Sequence, residues 1–90
     1  MTDGLDTRRK RALFRSLRRG TKESDLVIGG FARRHLAGLS ADQLGRFEAL
    51  LDCPDPDLLA WIVGEQHAPA ERECDVLALM REYERSIRRS

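Results

Sequence analysis

Apolar residues recur every three or four positions along five stretches of the chain, separated by glycine, proline and short polar turns, and nowhere do they alternate with the period of two that marks a half-buried strand. The pattern predicts five helices. The first covers about residues 7–19, where Leu13, Phe14 and Leu17 draw a narrow apolar stripe along a basic helix that Gly20 is suited to stop. The second starts near Thr21 or Lys22 and presents Leu26, Val27, Ile28, Phe31 and Leu36 before Gly38. Thr21 is placed to cap it, and Glu23 and Asp25 fall where negative charge offsets the positive end of the helix dipole. Gly29-Gly30 lies inside this helix, and each interior glycine costs about 1 kcal/mol relative to alanine. The pair therefore implies a bend, a close approach by another backbone, or a break into two shorter helices.

Ser40-Ala41-Asp42-Gln43 reads as a capping box, and Leu44, Phe47, Leu50 and Leu51 follow it at helical spacing. In Pro54-Asp55-Pro56-Asp57, Asp55 can cap and Pro56 can occupy the first position of a short fourth helix carrying Leu58, Leu59, Trp61, Ile62 and Val63, which ends between Gly64 and His67. Pro69 is placed to start the last helix, along which Val76, Leu77, Met80, Tyr83 and Ile87 share a face. Connections this short predict an all-α fold: a small compact five-helix bundle with antiparallel neighbours, forming one domain over residues 1–90. Residues 1–7 are expected to be flexible and 86–90 frayed. The expected core is Phe14, Leu17, Ile28, Phe31, Leu44, Phe47, Leu51, Trp61, Ile62, Leu77 and Met80.

Composition narrows the function. Charged residues make up 34% of the 90 and apolar ones 41%, and no apolar run approaches the roughly 18 residues that span a bilayer, so no membrane insertion is expected. A domain this small buries too little surface to enclose a complete cofactor and substrate together. The two cysteines, Cys53 and Cys74, are too few and too far apart for a secreted disulfide framework, and the N-terminus lacks the apolar region of a secretory signal. Localisation in the cytoplasm is the resulting expectation.

The net charge of +1 conceals segregation. Residues 1–22 carry eight bases and two acids, whereas residues 23–80 carry four bases and eleven acids. The sign changes between Lys22 and Glu23, which points to a directed electrostatic surface at that junction.

A catalytic apparatus is not evident. His35, near the end of the second helix, and His67, in a polar turn, both have structural explanations, and with Cys53 and Cys74 they lack the paired spacing of a zinc site. A disulfide between the cysteines is sterically conceivable, but free thiols are the usual state in a reducing compartment. Gly29-Gly30 fits neither glycine-rich phosphate-binding pattern. No catalytic or metal-binding residues are therefore assigned, and the chain is not read as an enzyme. The basic first helix could contact nucleic-acid phosphates, but the acidic second to fourth helices would be repelled by a duplex.

The remaining candidate is Arg18-Arg19-Gly20-Thr21-Lys22-Glu23-Ser24-Asp25. Its composition fits ordinary capping: Arg19 at one helix end, Gly20 as the stop, Glu23 at the next helix start. It fits equally a tight turn that projects Arg19 and Glu23 together as a donor and acceptor pair for a partner protein.

At this junction the sequence resembles the bacterial and mitochondrial succinate dehydrogenase assembly factors that promote flavinylation, whose hallmark RGxxE reads here Arg19-Gly20-Thr21-Lys22-Glu23, preceded by Arg18 and followed by Asp25. The resemblance continues through Phe31, Leu39-Ser40, Phe47-Glu48, Leu50-Leu51, Asp55-Pro56-Asp57-Leu58 and Trp61. It implies a monomeric helical bundle that binds the flavoprotein subunit of succinate dehydrogenase, with fumarate reductase flavoproteins as further clients, and assists covalent attachment of FAD. FAD would be handled through the client and not bound tightly by this chain. Arg18, Arg19, Gly20, Glu23 and Asp25 would form the contact surface, with Asp55, Pro56, Asp57 and Trp61 as supporting fold determinants and Trp61 in the core. Ser24 departs from the apolar Leu or Met usual at that position. The competing class is a small regulatory or nucleic-acid-binding helical protein that uses its basic first helix.

Overall fold

Residues 3–89 are described by a computed structural model, and they form five helical segments with no strand. Helix α1 is Asp3–Ser16. Helix α2 is one continuous run over residues 22–38: a first turn Lys22–Ser24, a π segment Asp25–Gly29, regular α-helix over Gly30–His35 and a 3-10 turn Leu36–Gly38. Helices α3, α4 and α5 are Ala41–Leu51, Asp55–Val63 and Asp75–Arg89. Helical geometry thus covers residues 3–7 and 86–89, where the sequence suggests loose ends, and Met1, Thr2 and Ser90 lie outside the described residues.

Local signals place several boundaries. Ser40 and Gln43 form the expected reciprocal capping box, the Gln43 amide donating to Ser40 Oγ at 3.1 Å and the Ser40 amide to Gln43 Oε1 at 3.0 Å. Thr21 caps α2 by accepting from the Ser24 amide at 3.1 Å. Gly64 ends α4 at φ 88°.

Three expectations need correction. Helix α1 stops at Ser16, so Gly20 is not its C-cap; its φ of 100° instead swings the chain into α2. Pro54, not Asp55, is the N-cap of α4, and Asp55 and Pro56 occupy its first two positions. The last helix starts at Asp75 and not near Pro69, whose carbonyl accepts from the Arg72 and Glu73 amides in a separate turn. Asp75 is fastened there from α3 by Arg46 Nε at 2.8 Å and Gln43 Nε2 at 3.1 Å.

Helix α2 is neither broken nor stopped at its glycines, which are sites of close approach. A methyl group on Gly29 would stand 3.2 Å from the Ser16 carbonyl and 2.9 Å from Leu17 Cδ2, and one on Gly30 would collide with the Tyr83 hydroxyl. α1 therefore turns its small residues, Ala12 and Ser16, toward α2, both fully buried, with Ser16 Oγ donating to the Ala12 carbonyl at 2.7 Å. That rotation explains the one clear error in the expected core. Phe14 points away from the bundle and is 58% exposed, and Leu17 is only half-buried, whereas the other nine expected residues are buried.

The segregated charge is folded back on itself. Arg8 pairs with Glu48 at 2.8 Å, Arg15 with Asp52 and Arg19 with Asp55. Arg8 and Arg15 meet Glu48 and Asp52 in the same order, so α1 and α3, which are separated in sequence by α2, run in the same direction, as alternate helices of an antiparallel chain do.

Candidate functional site

The turn between α1 and α2 is held from below. Arg19 directs its guanidinium inward: Nε donates to Asp55 Oδ1, one terminal nitrogen to the Leu51 carbonyl at 2.6 Å and the other to the Cys53 carbonyl at 2.9 Å. Its side chain is 8% exposed. A guanidinium suits this position because its planar fork reaches three acceptors from one rigid group. Two of those acceptors are carbonyls freed at the C-terminal end of α3, which a cation also favours electrostatically.

Asp55 divides its carboxylate. Oδ1 accepts from Arg19, and Oδ2 accepts from Ser24 Oγ at 3.2 Å. Ser24 is completely buried, and its hydroxyl also contacts Thr21 Oγ1. The departure at this position is thus absorbed by a polar contact: serine supplies a donor to a carboxylate that an apolar side chain would leave under-bonded. Asp25, the first residue of the π segment, closes the turn by accepting from the Arg19 amide at 3.3 Å.

Glu23 behaves differently. It is exposed, with no hydrogen bond or ion pair to any described residue. The structure thus separates the presumed pair: Arg19 faces the interior and Glu23 faces outward, with Gly20 exposed between them. Arg18 is exposed and lies over the Phe14 ring, its guanidinium carbon 4.4 Å from the centroid.

Beside the turn runs an open groove of about 800 Å³, lined by Leu17, Lys22, Glu23, Asp25, Leu26, Gly30 and Arg33. Leu26, on its edge, is 62% exposed. The turn thus has an exposed apolar residue on each helix it joins, Phe14 on α1 and Leu26 on α2. Periodicity assigned Phe14 to the core and placed Leu26 among the apolar residues of the second helix, and the local pattern carried no sign of either exposure.

The supporting residues divide likewise. Asp55 belongs to the Arg19 network, Pro56 and Asp57 are exposed in the first turn of α4, and Trp61 is buried, its carbonyl accepting from Arg81 Nε at 3.0 Å. Of the other candidate groups, His35 stacks on Phe31 with ring centroids 4.9 Å apart, His67 is exposed in a turn, and Cys53 and Cys74 are free. Among the described residues no three His, Cys, Asp or Glu side chains converge as a metal site, and no helix is long and apolar enough to cross a membrane.

These features define a small all-α protein whose distinctive surface is a rigidly supported turn flanked by exposed apolar side chains. Comparison with known proteins gives that class a family. The family described as flavinator of succinate dehydrogenase matches residues 10–84, and the chain belongs to it. The FAD assembly factor SdhE of Acetobacter pasteurianus is 40% identical over 87 residues, covering 97% of this chain and 79% of the relative. The mitochondrial succinate dehydrogenase assembly factor 2 of Dictyostelium discoideum is 37% identical over 79 residues, covering 88% of this chain and 56% of its own length. The assembly factor 2-A of Drosophila sechellia is 31% identical over 87 residues, covering 94% and 53%. The chain thus spans about half the length of these two mitochondrial relatives.

Proposed function

We propose that this protein binds the flavoprotein subunit of succinate dehydrogenase and promotes covalent attachment of FAD to it, acting as an assembly chaperone and not as a catalyst. Family membership supplies the client, and the division of labour within RGxxE carries the site assignment. Arg19, with Asp25 and Asp55, shapes the turn; Gly20 gives it its direction; Glu23 is left exposed beside an open groove. A residue whose backbone is already fixed by a supported turn has only its side-chain freedom left to lose on binding, which favours a specific contact. Covalent flavin attachment requires the flavin and its target side chain to be held in reacting geometry, and a helper that prefers the client in that arrangement raises its population.

FAD is read as belonging to the client. The groove beside the turn carries Glu23 and Asp25 along with Lys22 and Arg33, a balanced set of charges poorly matched to a diphosphate. Fumarate reductase flavoproteins are the second client class, and a bacterial cytoplasm is the compartment that fits.

The test is flavinylation of purified flavoprotein subunit with FAD, scored by fluorescence of the denatured client band. Wild-type protein should raise covalent flavin, and folded Glu23→Ala should not. Full flavinylation by folded Glu23→Ala would overturn the site assignment.

A further inference from the structure

Helix α1 divides its cations into two groups. Arg8, Arg9 and Arg15 bond to acceptors on other parts of the bundle: Glu48, the Leu39 carbonyl and Asp52. Lys10 and Arg11 are exposed with no ion-pair partner among the described residues, and Arg18, just beyond the helix end, lays its guanidinium over the ring of Phe14 and makes no ion pair with a described residue. At 100° per residue, Arg11 and Phe14 fall within one arc of the helix surface with Lys10 at its margin, and Arg18, past the helix end, returns over the Phe14 ring. One face of α1 is thus a strip of unneutralised cations around a 58%-exposed phenylalanine.

The strip is continuous with the turn. Leu17, one turn along from Phe14, lines the groove that also holds Glu23 and Leu26. Phe14, Arg15, Arg18, Pro54 and Asp55 line a second, smaller depression that reaches the Arg19 network.

We propose that Lys10, Arg11, Phe14 and Arg18 form a docking face for an acidic segment of the client flavoprotein, in which carboxylates bracket a large apolar side chain that packs on the Phe14 ring. This rests on the reading of the protein as a flavoprotein assembly factor and extends its contact surface beyond RGxxE. Charge complementarity selects the occupant: carboxylates would pair with the three free cations, and the guanidinium already stacked on Phe14 would hold the ring in place for contact. A second copy of this chain is a poor occupant, because a two-fold contact would oppose Arg11 and Arg18 to their own equivalents.

Isothermal titration of the purified flavoprotein subunit with wild-type protein, Phe14→Ala, Arg11→Glu/Arg18→Glu, Glu23→Ala and the control Arg85→Glu on α5 tests it. Circular dichroism establishes that each variant is folded. Phe14→Ala and the double charge reversal should each raise Kd by at least about tenfold. Arg85→Glu should stay within about twofold, and the double reversal should flatten the salt dependence of binding. Phe14→Ala and the double reversal binding as wild type while Glu23→Ala loses affinity would overturn this face and leave the proposed function standing. No binding by wild-type protein would overturn both. Two further results would overturn the acidic-segment assignment: tight binding of a DNA or RNA duplex at physiological salt that the charge reversal abolishes, or a dimer in sedimentation that Phe14→Ala dissolves.

Discussion

Arg19 and Asp55 meet as a largely buried ion pair across 36 positions of sequence, joining the turn after α1 to the first residue of α4. The pair lies beneath the turn that RGxxE forms, so the motif's arginine is tied first to the architecture of its own chain. Removing one partner strands the other away from water. Arg19→Ala or Asp55→Ala should therefore lower unfolding free energy by about 3 kcal/mol, read by urea or thermal denaturation. Arg19→Lys should recover only part of this, because an ammonium cannot reproduce the three-way fork.

Glu23→Ala should lie at the other extreme. With no hydrogen bond or ion pair to lose, and only its charge at the start of α2 removed, its stability should fall by no more than about 0.5 kcal/mol. If Arg19→Ala and Glu23→Ala shift the denaturation midpoint equally, the proposed separation between an inward and an outward motif residue is wrong.

Gly20 meets nothing within 4 Å of where a side-chain carbon would stand, yet its φ is 100°. Gly20→Ala should cost about 1–2 kcal/mol from backbone conformation alone, without a steric clash. Denaturation of Gly20→Ala in the presence and absence of Asp55→Ala checks this, since the loss should shrink once the turn is no longer held.

Gly30 answers to a different cause. Gly30→Ala should destabilise by about 1–3 kcal/mol through collision with the Tyr83 hydroxyl. Adding Tyr83→Phe removes the nearest atom and should return part of the loss, so a double-mutant cycle should show a non-additive term.

Acid stability should depend on the start of α5. Hydrogen bonds from Arg46 and then Gln43 hold the Asp75 carboxyl below its ordinary value, and Arg81 does the same for Glu73. With folded values below unfolded ones, the unfolded chain binds more protons in this range, so stability rises with pH. Their contribution is complete above about pH 5 and drains away below about pH 4 as the folded carboxyls protonate. Urea midpoints between pH 3 and 7 should fall on the acid side, and Asp75→Asn should make that slope shallower. An unchanged slope would count against the Arg46 contact.

What the sequence disclosed was whatever is decided within a few residues. The Ser40 box, the Thr21 cap and the positive φ of Gly20 and Gly64 all follow from local chemistry, as does most of the core. Phe14 was misplaced because spacing alone puts Leu13, Phe14 and Leu17 on one stripe, and either edge of that stripe could turn inward. Choosing between them depends on the close fit of Ser16 against Gly29, a contact between separate helices. The inward turn of Arg19 was hidden for a similar reason: its acceptors come from residues 51–55, far along the chain. Ser24 was visible as a departure, but its meaning required Asp55 beside it. The π segment had only Gly29-Gly30 as a sign, and glycines are equally at home in a bend or a break.

The three acceptors of Arg19 also set an order of events during synthesis. A growing chain that has reached residue 50 already contains the whole of RGxxE, but not the Leu51 and Cys53 carbonyls or the Asp55 carboxylate that hold its arginine. The signature is translated early and acquires its shape late. A ribosome-bound fragment ending at residue 50 would therefore carry Glu23 on a segment whose arginine has none of its three acceptors.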